Sequence, residues 1–334
     1  MARAFVTGVA GFLGSHVAER LRDLGWEVSG IDNLRGGQLA NVPDGVRFEA
    51  IDCLDRVSYL PMLADTELVY HCASAAYDGL SVFSPAFVYR NTAQATVEAA
   101  SASVAAGVRR FVYCSSMARY GDLPAPFTED MPPAPANPYG LAKHAAELVV
   151  RNLFQTHGGD YTIAVPHNII GPRQRYTDPY RNVASIMINR MVRGLQPIIY
   201  GDGSQLRCFS FVNDVIFCLE RMGTCAAAIG ETINIGPDEG EITILQLSQE
   251  IASLLNFDLD PIFVPSRPLE VQVATCSADK ARRLLGYETS TSLSDGLQSM
   301  IDWIDSQGHQ DFSYDLEIEI SSDRTPSTWV HKLI

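Results

Sequence analysis

A chain of 334 residues is long enough for a large α/β core and a smaller partner. Its net charge of −14 would repel a nucleic-acid backbone, and its arginines are dispersed rather than gathered into a basic stripe, so nucleic acid is excluded as a partner. No apolar run is long enough to cross a bilayer, which excludes a membrane-spanning chain. The apolar run Phe5-Val6 is too short for a signal-peptide core. The 7 cysteines are odd in number and scattered, with no C-x-x-C pair, so neither a disulfide framework nor a metal site is expected. A reducing cytoplasm is the expected location.

In chain order, short apolar runs alternate with helical stretches. Strand Ala4–Thr7 is followed by a helix over Gly14–Leu24 and a second strand, Glu27–Ile31. Further strands are predicted at Val46–Phe48, Leu68–His71, Arg110–Cys114, Tyr161–Val165 and Thr232–Ile235, with helices at Phe87–Ala106 and Pro138–Gln155. In the last of these, Leu141, Ala145, Leu148 and Val149 form one stripe, which predicts the packed face. Beyond Pro166 the pattern loosens into Pro-, Gly-, Arg- and Asp-rich loops. In the tail, Phe312, Tyr314, Leu316, Ile318 and Ile320 alternate with polar residues and predict a half-buried strand. Thr325-Pro326 then reads as a helix start with Thr as N-cap.

The segment Thr7-Gly8-Val9-Ala10-Gly11-Phe12-Leu13-Gly14 lies between the first strand and the first helix, where glycines let backbone N–H groups approach a pyrophosphate. Asp32 ends the second strand. A carboxylate there accepts from the adenosine ribose hydroxyls and repels a 2′-phosphate, which points to NAD rather than NADP. Asp52 follows the third strand and reads either as an adenine contact or as a helix cap. His71, at the end of the fourth strand, reads as a structural histidine.

Tyr139 and Lys143 share one helix face, one turn apart. A phenol ionises near pH ~10 in water, but a neighbouring ammonium and a positive nicotinamide favour phenolate, making Tyr139 a candidate base and Lys143 its partner. Such a pair occurs by chance on many helices. Ser116, where the strand Arg110–Cys114 runs into a loop, supplies a hydroxyl at the sheet edge that binds ligand and gives the pair its meaning.

Together these motifs resemble the extended short-chain dehydrogenase/reductases, specifically the nucleotide-sugar epimerase/dehydratase family, over about Arg3 to Trp303. The G-x-x-G-x-x-G pattern matches Gly8, Gly11 and Gly14, the strand-end hydroxyl matches Ser116, and Y-x-x-x-K matches Tyr139 and Lys143. The resemblance implies a Rossmann-type doubly wound parallel sheet of about seven strands with a smaller, mixed α/β C-terminal substrate-binding domain. The implied division is 1-166 plus 211-235 for NAD, 167-210 plus 236-310 for the nucleotide sugar, and 311-334 as an ordered extension. It further implies a homodimer built on the helices at Phe87–Ala106 and Pro138–Gln155.

Around the cofactor the resemblance adds Phe12, Leu13, Asn33, Cys53, Ala73, Ala75 and Asn91 to the residues above. For the nucleotide-diphosphate sugar it points to Met117, to Asn168 in an N-x-x-G-P-R segment, and to Asn182 as a second diphosphate contact. Ile198 and Tyr200 correspond to the base-flanking strand. Arg207 and Arg267 correspond to phosphate arginines, and Glu270 to a ribose contact.

The two positions after Ser116 narrow the reaction. Sugar 4,6-dehydratases of this type carry an Asp-Glu pair there; decarboxylating relatives have a glutamate, and GDP-mannose 3,5-epimerases a cysteine, at the second position. Here the residues are Met117 and Ala118, neither able to move a proton. The expected reaction is 4-epimerisation of a UDP-hexose or UDP-hexuronate through a transient 4-keto sugar. The rival readings are a nucleotide-4-keto-sugar reductase or dehydrogenase, a non-enzymatic NAD-sensing module, and a scaffold whose tail strand pairs with a partner.

Overall fold

The computed structural model describes residues 2–334. Seven strands form one parallel sheet: β1 (Arg3–Thr7), β2 (Glu27–Ile31), β3 (Arg47–Glu49), β4 (Leu68–His71), β5 (Arg110–Cys114), β6 (Asp160–Pro166) and β7 (Thr232–Ile235), in the order β7-β6-β5-β4-β1-β2-β3. β4 and β5 are buried at every position, as strands covered on both faces require. Separate apolar clusters cover the two faces. One packs Val17 and Leu21 of α1 (Phe12–Asp23) against β1 and β4; the other packs Ala146, Val150 and Phe154 against Phe111 and Tyr113. This is the Rossmann arrangement, and its strand order reverses between β1 and β4, opening a crevice at their carboxyl ends.

The predicted strands match these within a residue or two, but four local expectations are corrected. The helix over 87–106 is interrupted: Pro85–Tyr89 is α-helical, Arg90–Gln94 is a π turn, and α2 runs over Ala95–Ala105. The Asn91 carbonyl within that turn accepts from the Ala75 N–H at 3.3 Å. In α3 (Pro138–His157) the expected stripe is not the packed face, because Leu141 and Leu148 are 52% and 54% exposed. The buried face carries Tyr139, Ala142, Lys143, Ala146, Glu147, Val150 and Phe154 instead. Finally, the tail forms no strand. Residues 312–320 form no regular element, bend at Leu316 and Glu319, and are held by isolated bonds such as Ser313 N–H to Thr177 O (2.8 Å) and Ile320 N–H to Phe83 O (2.9 Å). Its alternation records which side chains pack inward, and Tyr314, Leu316 and Ile318 do. Thr325 caps no helix; its hydroxyl accepts from Ser322 N–H, and the short helix Ser327–Val330 begins after Pro326.

After β6 the chain makes small sheets. Ile169–Ile170 pairs with Ser210–Phe211, Ile198–Tyr200 pairs with Ile262–Val264, and Leu206–Arg207 lies between Ile242–Thr243 and Val273–Ala274. A third core, built from α4 (Val183–Val192), Ile244–Leu255 and Leu293–Gln307, supports them.

How α3 docks on β5 matters most for the site. Gly140 lies so close to the turn after β5 that a Cβ there would strike the Ala118 carbonyl. Ser115 donates to Glu147, whose other oxygen pairs with Arg119 Nη2 at 3.2 Å, with side chains 1% and 5% exposed. Glu147→Ala would leave the Arg119 guanidinium buried without its carboxylate and is expected to lower the unfolding free energy by about 3–5 kcal/mol, read from urea denaturation.

Candidate active site

A cavity of about 550 Å³ runs from the β1/β4 crevice to the small sheets after β6, and every residue singled out in the sequence for cofactor, catalysis or substrate lines it. The glycine turn sits at one end. Gly8 has φ +72°, and a Cβ on it would lie 2.8 Å from Ala73 N; a Cβ on Gly14 would strike the Gly8 carbonyl. No side chain caps α1, so the N–H groups of its first turn, at Phe12 and Leu13, point to ligand. Asp32 is 7% exposed and accepts from Ala10 N–H (3.2 Å) and Leu34 N–H (2.7 Å), while burial raises its carboxyl above the usual range.

Asp52 accepts from Asn33 Nδ2 at 2.8 Å and from Leu54 N–H at 2.9 Å; the next helix is capped by Asp55, so Asp52 is not a helix cap. Cys53 and Ala75 are buried against this end, and Asn91 Nδ2 donates to Phe87 O. His71 is structural. It lies between the Thr7 and Thr96 hydroxyls at 2.7 and 3.0 Å, stacks on Phe111 and Tyr113, and is held neutral by burial with a pKa of about 3.

In mid-cavity Tyr139 and Lys143 emerge from α3 beside the end of β5. Lys143 Nζ donates to Cys114 O at 2.7 Å and lies 5.9 Å from the Tyr139 ring centroid. Burial lowers the lysine to about 8 and raises the phenol to about 12. The expectation that Lys143 acidifies Tyr139 is therefore corrected for the polypeptide alone. Desolvation dominates, and the groups that oppose it are the Ser116 hydrogen bond and then the Arg181 charge. Ser116 also accepts from Ala118 N–H at 3.2 Å, which fixes the short turn carrying Met117.

At the far end, Asn168 (φ +42°) donates to Cys208 O at 2.9 Å, and Asn182 caps α4 through Ala184 N–H at 2.9 Å. Ile198 and Tyr200 form one wall. Arg267 lies 4.7 Å over the Tyr200 ring and pairs with Glu270 at 2.7 Å, so the Glu270 carboxylate is engaged by the arginine. Arg207 donates to the carbonyls of Leu206 and Val271, both at 2.7 Å.

Sequence reasoning missed several cavity residues. Asp78 accepts from Asn137 Nδ2 at 2.8 Å, and Arg181 stacks 4.5 Å over Tyr77 while bonding Asp178 at 3.3 Å. Leu316, Trp329 and Ile334 of the tail also line it. Nothing local marks these; Glu147, two turns beyond Tyr139 on the buried face, does not line the cavity and was missed as well, although its spacing from Tyr139 and Lys143 could have marked it.

Fold and site together define a dinucleotide-dependent enzyme. Residues 4–236 match the NAD dependent epimerase/dehydratase family, and the chain belongs to it. UDP-glucose 4-epimerase of Mycolicibacterium smegmatis is 32% identical over 312 residues, covering 90% of this chain and 98% of that protein. UDP-glucuronic acid decarboxylase 1 of Danio rerio is 28% identical over 330 residues, 97% of this chain and 76% of that one. The structure of UDP-glucuronic acid 4-epimerase from Bacillus cereus with UDP-glucuronic acid and NAD superposes with a TM-score of 0.84 at 28% identity, covering 91% of this chain and 99% of that chain. NAD is the cofactor, and the uncapped helix, the glycine cradle and Asp32 fit it.

The lysine offers a stability test. Its pKa is near 8 in the fold and 10.5 in the unfolded chain, so burying the charge opposes folding below pH 8, and the penalty fades as pH rises from 8 to 10.5. Lys143→Met is expected to stabilise the cofactor-free protein at neutral pH by on the order of 1–3 kcal/mol, with the gain shrinking toward high pH in thermal-unfolding scans.

Proposed function

We propose that this chain is an NAD-dependent nucleotide-sugar 4-epimerase whose substrate is a UDP-hexose or UDP-hexuronate. The observation that carries the reading is one cavity in which Tyr139, Lys143 and Ser116 meet between a dinucleotide cradle and an arginine-lined end, beside Met117 and Ala118. A dehydratase or decarboxylase would need another proton-moving side chain at those two positions. Two of these relatives support the class, being by name a UDP-glucose 4-epimerase and a UDP-glucuronic acid 4-epimerase.

In this proposal residues 1–166 with 211–235 hold NAD, residues 167–210 with 236–310 hold the nucleotide sugar, and 311–334 is an extension. Bound NAD supplies the acceptor and then the donor of a hydride. Tyr139 takes the proton from the sugar O4, with Ser116 bonded to the same oxygen and sharing the proton. Burial raises the phenol, so its ionisation depends on positive charge brought beside it. Lys143 orients the nicotinamide ribose and stabilises the phenolate. Tyr139 returns the proton after the keto sugar has turned its other face. Asn168, Asn182, Arg207 and Arg267 hold the diphosphate, which lets the hexose turn without leaving.

We further place the enzyme in the cytoplasm, since all seven cysteines are free, and as a homodimer. No helix among the described residues is long and apolar enough to cross a membrane. The apolar residues that α3 and its neighbouring helix expose, Leu141, Leu148 and Tyr89, support a second copy packing there.

Incubation with UDP-glucose, UDP-glucuronate and UDP-N-acetylglucosamine, followed by separation of epimers, is expected to show interconversion of at least one pair without consumption of added NADH. Absence of any epimer would overturn the proposal, and stoichiometric NADH oxidation with a 4-keto sugar would replace it by a reductase. Tyr139→Phe is expected to lower kcat by roughly 10²–10⁴-fold in that assay. The double variant Leu141→Asp, Leu148→Asp is expected to sediment as a monomer.

A further inference from the structure

The C-terminal segment contributes Leu316, Trp329 and Ile334 to the cavity lining and is tied down on both sides. Asp311 pairs with Arg193, and Asp315 pairs with Arg175 at 2.7 Å, beside the segment after β6. The chain then reaches the loop after β4. There the Glu317 carbonyl accepts from Ser84 Oγ at 2.9 Å, and the Glu319 carboxylate accepts from the backbone N–H groups of Ala86 (2.9 Å) and Phe87 (2.7 Å). It returns through Thr328, whose hydroxyl bonds the Tyr200 hydroxyl at 2.6 Å, and ends with the Leu333 carbonyl accepting from Arg190 at 2.9 Å.

Leu316, Trp329 and Ile334 face the cavity along this path, and none carries a charged side chain. Trp329 is 3% exposed, set edge-on against Phe83 at 5.8 Å and Tyr180 at 5.4 Å. These tail residues belong to the same apolar cluster as Tyr139. The segment therefore supplies an apolar stretch of wall to the cavity that holds Tyr139, with Trp329 beside Gly79 and Arg267.

We propose that residues 311–334 form a retaining wall of the sugar subsite, anchored by Trp329, that keeps the 4-keto intermediate in the cavity while it turns; this rests on the epimerase reading above. An intermediate that must rotate cannot be gripped by directed hydrogen bonds on every side, because those bonds would favour one face. A smooth apolar wall leaves rotation free and blocks the exit, and it also keeps water from the ketone. Trp329 is a positioning residue in this account and takes no part in proton transfer.

The step balances simply. The C4 hydride passes to the nicotinamide and the O4 proton to Tyr139; a ketone that escapes before their return leaves one reduced nicotinamide on the enzyme. The test uses the full-length holoenzyme, parent against Trp329→Ala, Trp329→Phe and Glu319→Ala, on the nucleotide sugar that the parent epimerises. Released ketone is trapped with hydroxylamine and counted by mass spectrometry against epimer formed and reduced nicotinamide retained.

Trp329→Ala is expected to raise the ratio of released ketone to epimer roughly tenfold or more, which corresponds to about 1.4 kcal/mol of lost retention. Trp329→Phe is expected to stay near the parent ratio. Glu319→Ala, outside the cavity on the exposed part of the strap, is expected to raise it as well, and it carries the test if Trp329→Ala does not fold. Variants whose melting temperature falls while the ratio stays at the parent value would show a purely structural tail and overturn the proposal. Failure of the parent to epimerise any nucleotide sugar would instead sink the epimerase reading, and the wall with it.

Discussion

Three polar side chains spaced four residues apart on the buried face of α3 hold the site together. Tyr139, Lys143 and Glu147 all point into the protein, where unpaired polar groups are costly. Each finds its partner at the end of β5: Tyr139 with Ser116, Lys143 with the Cys114 carbonyl, and Glu147 with Ser115 and Arg119. A slide of the helix by one turn would break all three at once. The register of the phenol over the sheet edge is set in this way, and Gly140 permits the close approach.

The cavity shows how an acidic chain accommodates ligands that carry diphosphates. The overall charge of −14 is spread over the surface, whereas Arg207, Arg267 and Arg181 line the interior. Short-range hydrogen bonds from these guanidinium groups outweigh a distant, screened field. Glu270 and Asp178 hold Arg267 and Arg181 in place, so the arginines are preorganised rather than mobile. Leu316, Trp329 and Ile334 of the tail add apolar surface to the same cavity, and Trp329 lies beside Arg267 at Gly79, so groups that grip and groups that only enclose stand side by side.

What could be read in advance tracked the range of the interaction. The inner strands were legible because strands buried on both faces must be continuous apolar runs, and the glycine turn because only glycine fits against Ala73 and under the Gly8 carbonyl. The stripe Leu141, Ala145, Leu148 and Val149 misled because apolar residues on a helix can face another subunit or solvent, while Lys143 and Glu147 occupy the core. The tail misled for a related reason: alternation encodes which side chains are covered, and says nothing of a neighbouring strand to pair with. Asp78, Arg181 and Trp329 carried no local signal, since each reaches the cavity from a separate loop.

By itself, the sequence determined the chain order of the seven sheet strands, the dinucleotide turn and the candidate trio Ser116, Tyr139 and Lys143, all encoded by periodicity or spacing within short stretches. Only the tertiary structure decided which carbonyl Lys143 bonds, that burial raises rather than lowers the Tyr139 phenol within the polypeptide, and that the last residues wall the cavity. Those outcomes depend on desolvation and on contacts between segments far apart in the chain, such as Ser84 with Glu317, and no local pattern specifies them.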